Sequence, residues 1–473
     1  MRIGAVGPSY QEASLPFDAQ RSVNCYPVTD QYQDDKQRLK AMYSAPGLAN
    51  FGEAGTGPGR GRYTASNGRS FVVSGSGLYE VFSDGTTTLR GSLDQTHGNV
   101  TFAENTIQLA VCDGASLYLM DYADDSYRKM SHGDITFQIA WVTYHDGYFI
   151  IGEGGSGRFY ISGINDGEVW DALDFATAES DPDGLVRGVS ALGYLWLFGK
   201  VTTEIWSNVG ASDFPFRRMS GAVLEKGAAG AHTIVEVDNS LIWLGRDKGG
   251  TGIVYQASGF TPVRISTSPI EKRLRAVADD GLSKAYAYQE DGRWFYVLND
   301  DALETSWAFD LEVKAWHERA YLGTAGDFQP QLLRDVAFAF GKHIGVDRRN
   351  GTLYDVSNAY YDNAGEPLCR DRITTHVAGE LGQRATIHRL MVTVETGVGL
   401  QGSGVGSDPK LLLRVSKDMG RTWGAWREGE VGRAGEYRKT VAFRQLGNAS
   451  TFTFEFRMTD PVPFTLIDAQ IEV

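Results

Sequence analysis

The most specific pattern in the sequence is an Asp-box, formed by Ser416, Asp418, Gly420, Thr422 and Trp423 with the spacing Ser-x-Asp-x-Gly-x-Thr-Trp. The chemistry of this pattern is that of a tight turn. The carboxylate accepts backbone N–H groups, the glycine takes a positive φ, and the tryptophan packs on the strand below. The pattern therefore predicts a hairpin turn and says little about catalysis.

The other residues that could carry chemistry form no recognisable set. Eight histidines, among them His97, His145, His317 and His388, lie in no HExxH or His-x-His pattern and in no His/Cys cluster of the kind that binds zinc. Glu179, Asp181 and Asp183 hint at a calcium loop, but Asp-Pro-Asp-Gly at 181–184 is typical of a turn. No nucleophile elbow, Walker loop or dinucleotide fingerprint is present. We therefore predict no catalytic residue, no metal site and no cofactor.

Aromatic residues leave one alternative open, a glycan-binding or sialidase-like β-propeller protein. Tryptophans on whose faces sugars could stack occur in several apolar runs, at Trp196, Trp206, Trp243, Trp294, Trp307 and Trp316. In strands of this pattern such rings more often pack one sheet on the next. A sialidase also needs an arginine cluster, a Tyr/Glu nucleophile pair and usually several Asp-boxes, so a single Asp-box argues against that activity.

The composition is that of an acidic, glycine-rich globular chain. Of its 473 residues 57 are glycine, 42% are hydrophobic and 22% are charged, and the formal net charge is −14. An acidic chain is a poor ligand for nucleic acid phosphates, although residues 370–473 hold 14 basic and 12 acidic side chains. Cys25, Cys112 and Cys369 lie too far apart for a zinc knuckle or a disulfide framework and predict buried, reduced thiols. We expect neither a membrane span nor a secretory signal.

Short apolar runs recur at intervals of roughly 45 residues, the period of a four-stranded propeller blade. The runs are Phe71–Val73, Ile107–Val111, Tyr148–Ile151, Tyr194–Phe198, Leu241–Leu244, Trp294–Leu298 and Val336–Phe340. A hairpin cannot bury its own apolar face, so the repeats must stack, and radial stacking hides both faces of every blade. We predict an all-β, β-propeller-like fold with six or seven blades. Two unrelated β-sandwiches are the alternative.

Three regions follow from these patterns: an extended N-terminal segment (1–55), the β-propeller-like domain (56–360) and an additional C-terminal β-sandwich-like domain (361–473). The last contains longer alternating strands and the glycine-rich segment Gly397–Pro409, which lacks the Lys-Ser/Thr and the helix of a phosphate loop. This segment predicts a mobile hairpin tip. The candidate channel or tip-loop residues are Gly397, Gly399, Gly402, Gly404, Gly406 and Asp418.

One helix start interrupts the strand pattern, at Ser268-Pro269-Ile270-Glu271. Ser268 is expected to cap the helix, Pro269 suits its first position, and Glu271 would complete a capping box. The pattern predicts a short helix between two blades.

Four stretches, in order along residues 17 to 320, carry a family resemblance. They are Gln20–Pro27 followed by Ala45–Leu48, then Glu204–Gly210 with Phe214–Phe216, then Gly227–Gly230 leading to Trp243–Gly245, then Arg264–Glu271. With them the chain resembles the tail nozzle or hub proteins of short-tailed bacteriophages, also called packaged DNA stabilisation proteins. The family usually has an acidic residue after its Tyr-Pro, where this chain has Val28, so Val28 is assigned no contact role.

The resemblance implies a non-enzymatic virion protein of the tail, made in the host cytoplasm. It would form a homohexameric ring below the portal, close the channel to retain packaged DNA, and conduct the DNA during ejection without sequence-specific binding. Its other neighbours would be the tail adaptor ring, tail fibres or spikes, a needle or plug and, as a late contact, the host envelope. An acidic lumen would repel phosphate and ease transit.

The resemblance also makes Arg21, Asn24, Tyr26 and Pro27 candidate structural residues. Residues 10–46 would run along a neighbouring subunit or close a blade. A cellular adhesion module is a third interpretation, which the missing signal peptide and the unpaired cysteines disfavour.

Overall fold

The computed structural model describes residues 1–29, 39–275, 282–378 and 383–473, and nearly all regular structure in these ranges is β-strand. The helical elements are an α-helix at Ser268–Leu274 and a 3-10 turn at Ala231–Thr233. The strands form a propeller followed by a β-sandwich, so the all-β prediction is confirmed.

Blades 1 to 4 of the propeller are four-stranded antiparallel sheets made of consecutive strands. The strands are Gly59–Thr64, Ser70–Ser74, Gly77–Val81 and Thr87–Ser92 in blade 1; Thr101–Glu104, Gln108–Cys112, Leu117–Asp121 and Tyr127–Lys129 in blade 2; Ile139–His145, Tyr148–Glu153, Arg158–Gly163 and Asp166–Thr177 in blade 3; and Leu185–Ala191, Tyr194–Gly199, Thr203–Asn208 and Phe216–Leu224 in blade 4.

Blades 5 to 7 complete the ring, each with one irregularity. Blade 5 has a broken first strand and comprises Gly227–Ala228, Val235–Val237, Ser240–Asp247, Gly250–Ser258 and Thr261–Arg264. Blade 6 comprises Lys284–Glu290, Arg293–Asn299, Ser306–Asp310 and Ala315–Leu322, with Phe328–Pro330 added at its edge. Blade 7 comprises Leu333–Ala339, Lys342–Asp347 and Thr352–Ser357 and takes its fourth strand, Gly47–Glu53, from the N-terminal segment.

The borrowed strand of blade 7 closes the propeller. It pairs antiparallel with Thr352–Ser357, and the short strands Asp362–Asn363 and Glu366–Pro367 extend the sheet on its other side. A turn of blade 1 fixes its position, because the carbonyl of Phe51 lies against Gly85, where no Cβ would fit. Gly85 also has φ +85°, a conformation that favours glycine.

The first strands of the blades form the inner ring. Those of blades 2, 3 and 4 contact one another in turn, as do those of blades 5, 6, 7 and 1. Each pair of neighbouring blades encloses its own apolar cluster, and an eighth cluster fills the sandwich. Seven blades therefore surround the axis in the described part of the chain, the larger of the two numbers that the repeat period allowed.

The C-terminal sandwich packs two sheets around a core of aliphatic and phenylalanine side chains. One sheet has the order Cys25–Thr29, Leu39–Ser44, Thr465–Glu472, Ala385–Val394 and Val441–Ala449, and Arg2–Ile3 pairs with Thr465–Glu472. The other sheet runs through Arg370–Ile373, Thr451–Met458, Lys410–Ser416 and Arg427–Glu430, and Val377–Ala378 pairs with Thr451–Met458.

Helix Ser268–Leu274 corrects one expectation. Its N-cap is Thr267, whose side chain makes no capping bond, and Ser268 is already helical. The expected capping box is wrong because the carboxylate of Glu271 has other partners. It forms a two-pronged ion pair with Arg264, at 2.6 Å from both Nε and Nη2, and accepts the hydroxyl of Ser266 at 2.8 Å.

Candidate functional site

The segment Arg21–Val23 joins the propeller to the sandwich. Val23 pairs in parallel with Glu318 of blade 6 and antiparallel with Asp371 of the sandwich. The sheet of blade 6 therefore continues without a break into one sheet of the sandwich. A continuous ladder of backbone hydrogen bonds resists bending far better than a linker, so the two domains form one body at this junction.

Asn24 forms hydrogen bonds to both sides of the junction. Its side-chain Nδ2 donates to the carbonyl of Ala320 in blade 6 at 2.8 Å and to that of Cys369 at 2.9 Å, and its Oδ1 accepts the N–H of Ala320 at 2.9 Å. The residue is buried and has φ 50°, a conformation that asparagine tolerates better than most residues. Asn24 thus satisfies three backbone groups that would otherwise be unpaired.

Arg21 and Glu318 form an ion pair at the same junction. The guanidinium Nη2 lies 2.7 Å from Oε2 and its Nε lies 3.0 Å from both oxygens, while Ser9 and Thr305 also donate to the carboxylate. Burial opposes ionisation of Glu318, but the Arg21 charge and these hydrogen bonds hold the pKa of Glu318 below its ordinary value. The pair is therefore an internal contact between Arg21 and blade 6.

Tyr26 and Pro27 belong to the strand Cys25–Thr29 at the edge of a sandwich sheet. An edge strand tolerates a proline because one side of the strand needs no ladder hydrogen bond. The ring of Tyr26 packs against Phe295 and His317 of blade 6, with centroids 5.2 and 5.6 Å away. Burial raises the pKa of Tyr26. Both residues therefore serve packing at the junction.

Phe328 is a junction residue that sequence reasoning missed. The guanidinium groups of Arg21 and Arg457 both lie over its ring, 5.3 and 5.5 Å from the centroid, and Arg457 also pairs with Asp371 at 2.7 Å. Arg457 stacks further on Trp426 at 4.8 Å. No local spacing links these residues, since only the folded sheet brings them together.

The five candidate glycines share one loop at one end of the sandwich. Gly397 and Gly399 are packed against residues 432–437, whereas a Cβ on Gly402 or Gly404 would meet nothing within 4 Å. Two apolar side chains of the loop are exposed, Leu400 by 44% and Val405 by 77%. The loop thus has a packed base and an open, partly apolar tip.

Asp418 lies elsewhere, because the turn that contains it follows the other end of the strand Lys410–Ser416, about 20 Å away for a seven-residue strand. Its carboxylate accepts the N–H and the hydroxyl of Thr422 at 2.8 and 2.6 Å and the hydroxyl of Ser416 at 2.7 Å. These bonds lower the pKa of Asp418 to about 2. Trp423 packs on Arg414, with the guanidinium 5.0 Å from its ring.

Asp183, one of the acidic residues of the possible calcium loop, lies in a turn. Asp183 accepts the N–H groups of Val201 and Thr202 at 2.6 and 3.0 Å, which is turn geometry. The described residues contain no group of three or more His, Cys, Asp or Glu side chains placed to hold a metal ion. The three cysteines are buried and unpaired, and burial raises the pKa of each thiol to about 12.

The tryptophans raised by the glycan alternative pack between blades. Of the six, all but Trp294 are buried in inter-blade clusters, and Trp294 is partly buried against one of them. Their faces are occupied by protein and not presented to a sugar. No helix in the described parts of the chain is long and apolar enough to span a bilayer.

The fold and these residues define a two-domain β-protein whose characteristic polar side chains hold the domains to each other. Family models match both parts in order: "Bacteriophage P22 Gp10, beta-propeller" at residues 5–361 and "Bacteriophage P22 Gp10, beta-sandwich" at residues 371–473. The chain belongs to this family of phage tail nozzle, or packaged DNA stabilisation, proteins. The resemblance found in the sequence is confirmed, and the chain is a structural component of the virion tail that assembles with other tail and portal components.

The matches to solved structures are weak, with TM-scores below 0.5. A chain of a mitotic checkpoint complex is 10% identical, with a TM-score of 0.38, and the match covers 61% of this chain and 86% of that one. The N-terminal domain of Nup159 is 8% identical, with a TM-score of 0.42 and coverage of 71% and 98%. The extracellular domain of a putative one-component system from B. thetaiotaomicron is 8% identical, with a TM-score of 0.45 and coverage of 85% and 48%. Comparison with curated proteins gave no match.

Proposed function

We propose that six copies of this chain form a ring below the portal and its adaptor, and that the ring closes the DNA channel in the filled virion and conducts DNA during ejection. The observation that carries the proposal is the match of both domains to the nozzle family, in order and over nearly the whole chain. The chain acts in this proposal as a non-enzymatic building block.

The continuous junction supports a role in transmitting force between the two domains. A ring that retains packaged DNA must transmit force between the part held by the adaptor and the part that narrows the channel. The continuous sheet from blade 6 through Arg21–Val23 to Arg370–Ile373 provides such a connection. The Arg21–Glu318 ion pair, whose carboxylate is buried, and the hydrogen bonds of Asn24 reinforce this connection.

The outermost strand of blade 3, Asp166–Thr177, is a candidate subunit contact. It is 12 residues long, pairs with a neighbour on one side, and exposes Val169 by 55%, Leu173 by 81% and Phe175 by 37%. A long edge strand with exposed apolar side chains readily pairs with or packs on another protein surface. In a ring this strand would meet the adjacent copy.

The glycine loop is the candidate channel element. Its open tip around Gly402 and Gly404 and its exposed Leu400 and Val405 suit a segment that moves or contacts a plug, a fibre or the host envelope. The Asp418 turn, at the other end of the same strand, would then face a different neighbour. The acidic net charge of −14 disfavours adsorption of DNA to the ring.

Cryo-electron microscopy of the full chain, alone and mixed with portal and adaptor, tests the ring. Six-fold particles with a central channel are expected, and a monomer that persists at high concentration with the adaptor present would refute the proposal. Val169→Asp should abolish ring formation if the blade 3 edge is the contact. Val263→Asp is the matched control, because Val263 is 46% exposed on the outer strand of blade 5.

A further inference from the structure

A cluster of cationic side chains surrounds the propeller axis. Each lies near the start of a first strand, or in the 3-10 turn that precedes one, and we name the group the axial cation cluster: Arg60, Arg62, Arg187, His232, Lys284 and Arg334. First strands of a propeller all run the same way along the axis, so residues near their starts share one end of the inner ring. Five of seven blades thus contribute cations to one place.

Residues of the axial cation cluster interact electrostatically with residues of distant blades. Arg187 belongs to blade 4 and Asp335 to blade 7, three blades away, yet Asp335 is the charge that most favours protonation of Arg187. Burial lowers the pKa of Arg62 and Arg187 to about 10, and Asp335 opposes this in both. The pKa of His232 falls well below its ordinary value because the ring is buried and because Arg187, Lys284, Arg334 and Arg60 surround it.

Among the residues that the structure describes, negative charge in the cluster is scarce. Oδ2 of Asp335 accepts from Nζ of Lys284 and from the backbone N–H of Arg62, both at 2.9 Å. The other cations bind neutral groups. Arg187 donates to the carbonyl of Ala231 at 3.0 Å and Arg334 to the side-chain carbonyl of Asn99 at 3.0 Å. Peripheral carboxylates such as Asp300 and Asp113 are held by their own turn and hydroxyl partners.

Several donors of the cluster have no hydrogen-bond partner in the part of the chain that the structure describes. They are Nε and Nη1 of Arg62, Nη2 of Arg60, Nε of Arg187 and Nδ1 of His232. Arg60 is only 1% exposed and Arg62 only 5% exposed. A buried guanidinium with unmet donors is strongly unfavourable unless an acceptor with negative charge joins it.

We propose that the axial cation cluster binds one small oxyanion of the phosphate class per chain. A tetrahedral oxyanion offers several acceptor oxygens at once, and guanidinium groups bind such oxygens in pairs. A DNA duplex is excluded as the occupant, because the unpaired donor atoms are buried among the inner strands, where a duplex cannot reach them. The bound anion would tie blades 1, 4, 5, 6 and 7 to one another.

Equilibrium dialysis of the full chain with radiolabelled inorganic phosphate, in chloride buffer of fixed ionic strength, tests the site without any variant. One phosphate per chain, displaced by sulfate but not by a duplex oligonucleotide, is the expected result. Binding of less than about a tenth of a phosphate per chain at millimolar phosphate would overturn the proposal. Displacement by the duplex would also overturn it, since it would place the phosphate on an open DNA-binding surface.

Arg187→Gln locates the anion. We expect at least tenfold weaker phosphate binding and loss of the phosphate-dependent rise in melting temperature. In phosphate-free buffer the variant should be at least as stable as the original chain, because it loses a cation that repels Lys284. Arg217→Gln is the matched control, since Arg217 is an exposed arginine on the outer strand of the same blade. Equal phosphate binding by the Arg187 variant and the original chain would refute the assignment.

Discussion

Asn24→Ala is expected to weaken the junction between blade 6 and the sandwich more than any single exposed change. The substitution removes three hydrogen bonds of 2.8 to 2.9 Å and leaves the N–H and carbonyl of Ala320 and the carbonyl of Cys369 unpaired. Each lost bond costs about 1 kcal/mol or more. Alanine at φ 50° adds about 1 kcal/mol, for a total of about 4 kcal/mol.

This loss can be measured as a shift in melting temperature. An unfolding entropy of about 2.1 cal/mol/K per residue amounts to about 1 kcal/mol/K for this chain if it melts as one unit, so the shift should be about 4 °C downward. Hydrogen exchange should also accelerate in the strands Ala315–Leu322 and Arg370–Ile373, which flank Arg21–Val23.

Asn239→Ala is the matched control, because Asn239 has φ 56° but is exposed. It should lower the melting temperature by only about 1 °C, the cost of the backbone conformation. Asn24→Gly separates the two contributions at one position, since glycine removes the backbone strain and keeps the loss of hydrogen bonds. If Asn24→Ala melts no lower than Asn239→Ala, the bonds of Asn24 do not hold the junction.

Three further predictions concern other parts of the chain. Gly85→Ala should lower the melting temperature by several degrees, because the new Cβ would collide with the carbonyl of Phe51. Gly68→Ala is the control, since Gly68 has the same φ of +85° but open space around it, and this change should cost about 1 kcal/mol of stability. Equal losses of stability in the two variants would contradict the contact between Gly85 and the closing strand. Burial raises the pKa of each cysteine thiol, at Cys25, Cys112 and Cys369, to about 12. Mass spectrometry should therefore show no alkylation by iodoacetamide at pH 8.5 in the native chain and full alkylation in denaturant. Alkylation of the native chain would contradict the burial of these thiols. Asp418→Ala should speed hydrogen exchange of the Thr422 amide at pH 6, because the amide loses its acceptor. The pKa of Asp418 is lowered to about 2 from an ordinary value near 3.9, so the difference between variant and original chain should be complete above about pH 4 and vanish as the pH falls through 2. A difference that does not depend on pH would exclude the carboxylate as its cause.

Most of the propeller could be predicted because its signals are local. Each apolar run and the turn beside it lie within one hairpin, and the period of the runs set the blade size. The closing strand of blade 7 had no such signal, since Gly47–Glu53 pairs with residues about 300 positions later. Its sequence has no apolar run, and of its seven residues only Gly47 and Leu48 are buried.

The contacts of the site residues could not be predicted either, because they join residues that are distant in the sequence. The motif around Arg21 and Asn24 was found by resemblance, but its partners Glu318, Ala320 and Phe328 are distant in sequence and no spacing points to them. The glycine loop and Asp418 were grouped as tip loops, while the strand Lys410–Ser416 separates them. The axial cation cluster was missed because its members are spread over residues 60 to 334 and the chain as a whole is acidic.

Because an N-terminal strand closes blade 7, the propeller can close only late in the synthesis of the chain. The strand Gly47–Glu53 leaves the ribosome early, but its partner Thr352–Ser357 follows only after about 300 more residues. At the usual 5 to 20 residues per second the early strand waits about 15 to 60 seconds with its edge unpaired. During that interval the unpaired edge of the strand can pair with the same strand of another nascent copy. A chaperone that shields residues 47–53 until blade 7 is complete would therefore raise the yield of closed propellers.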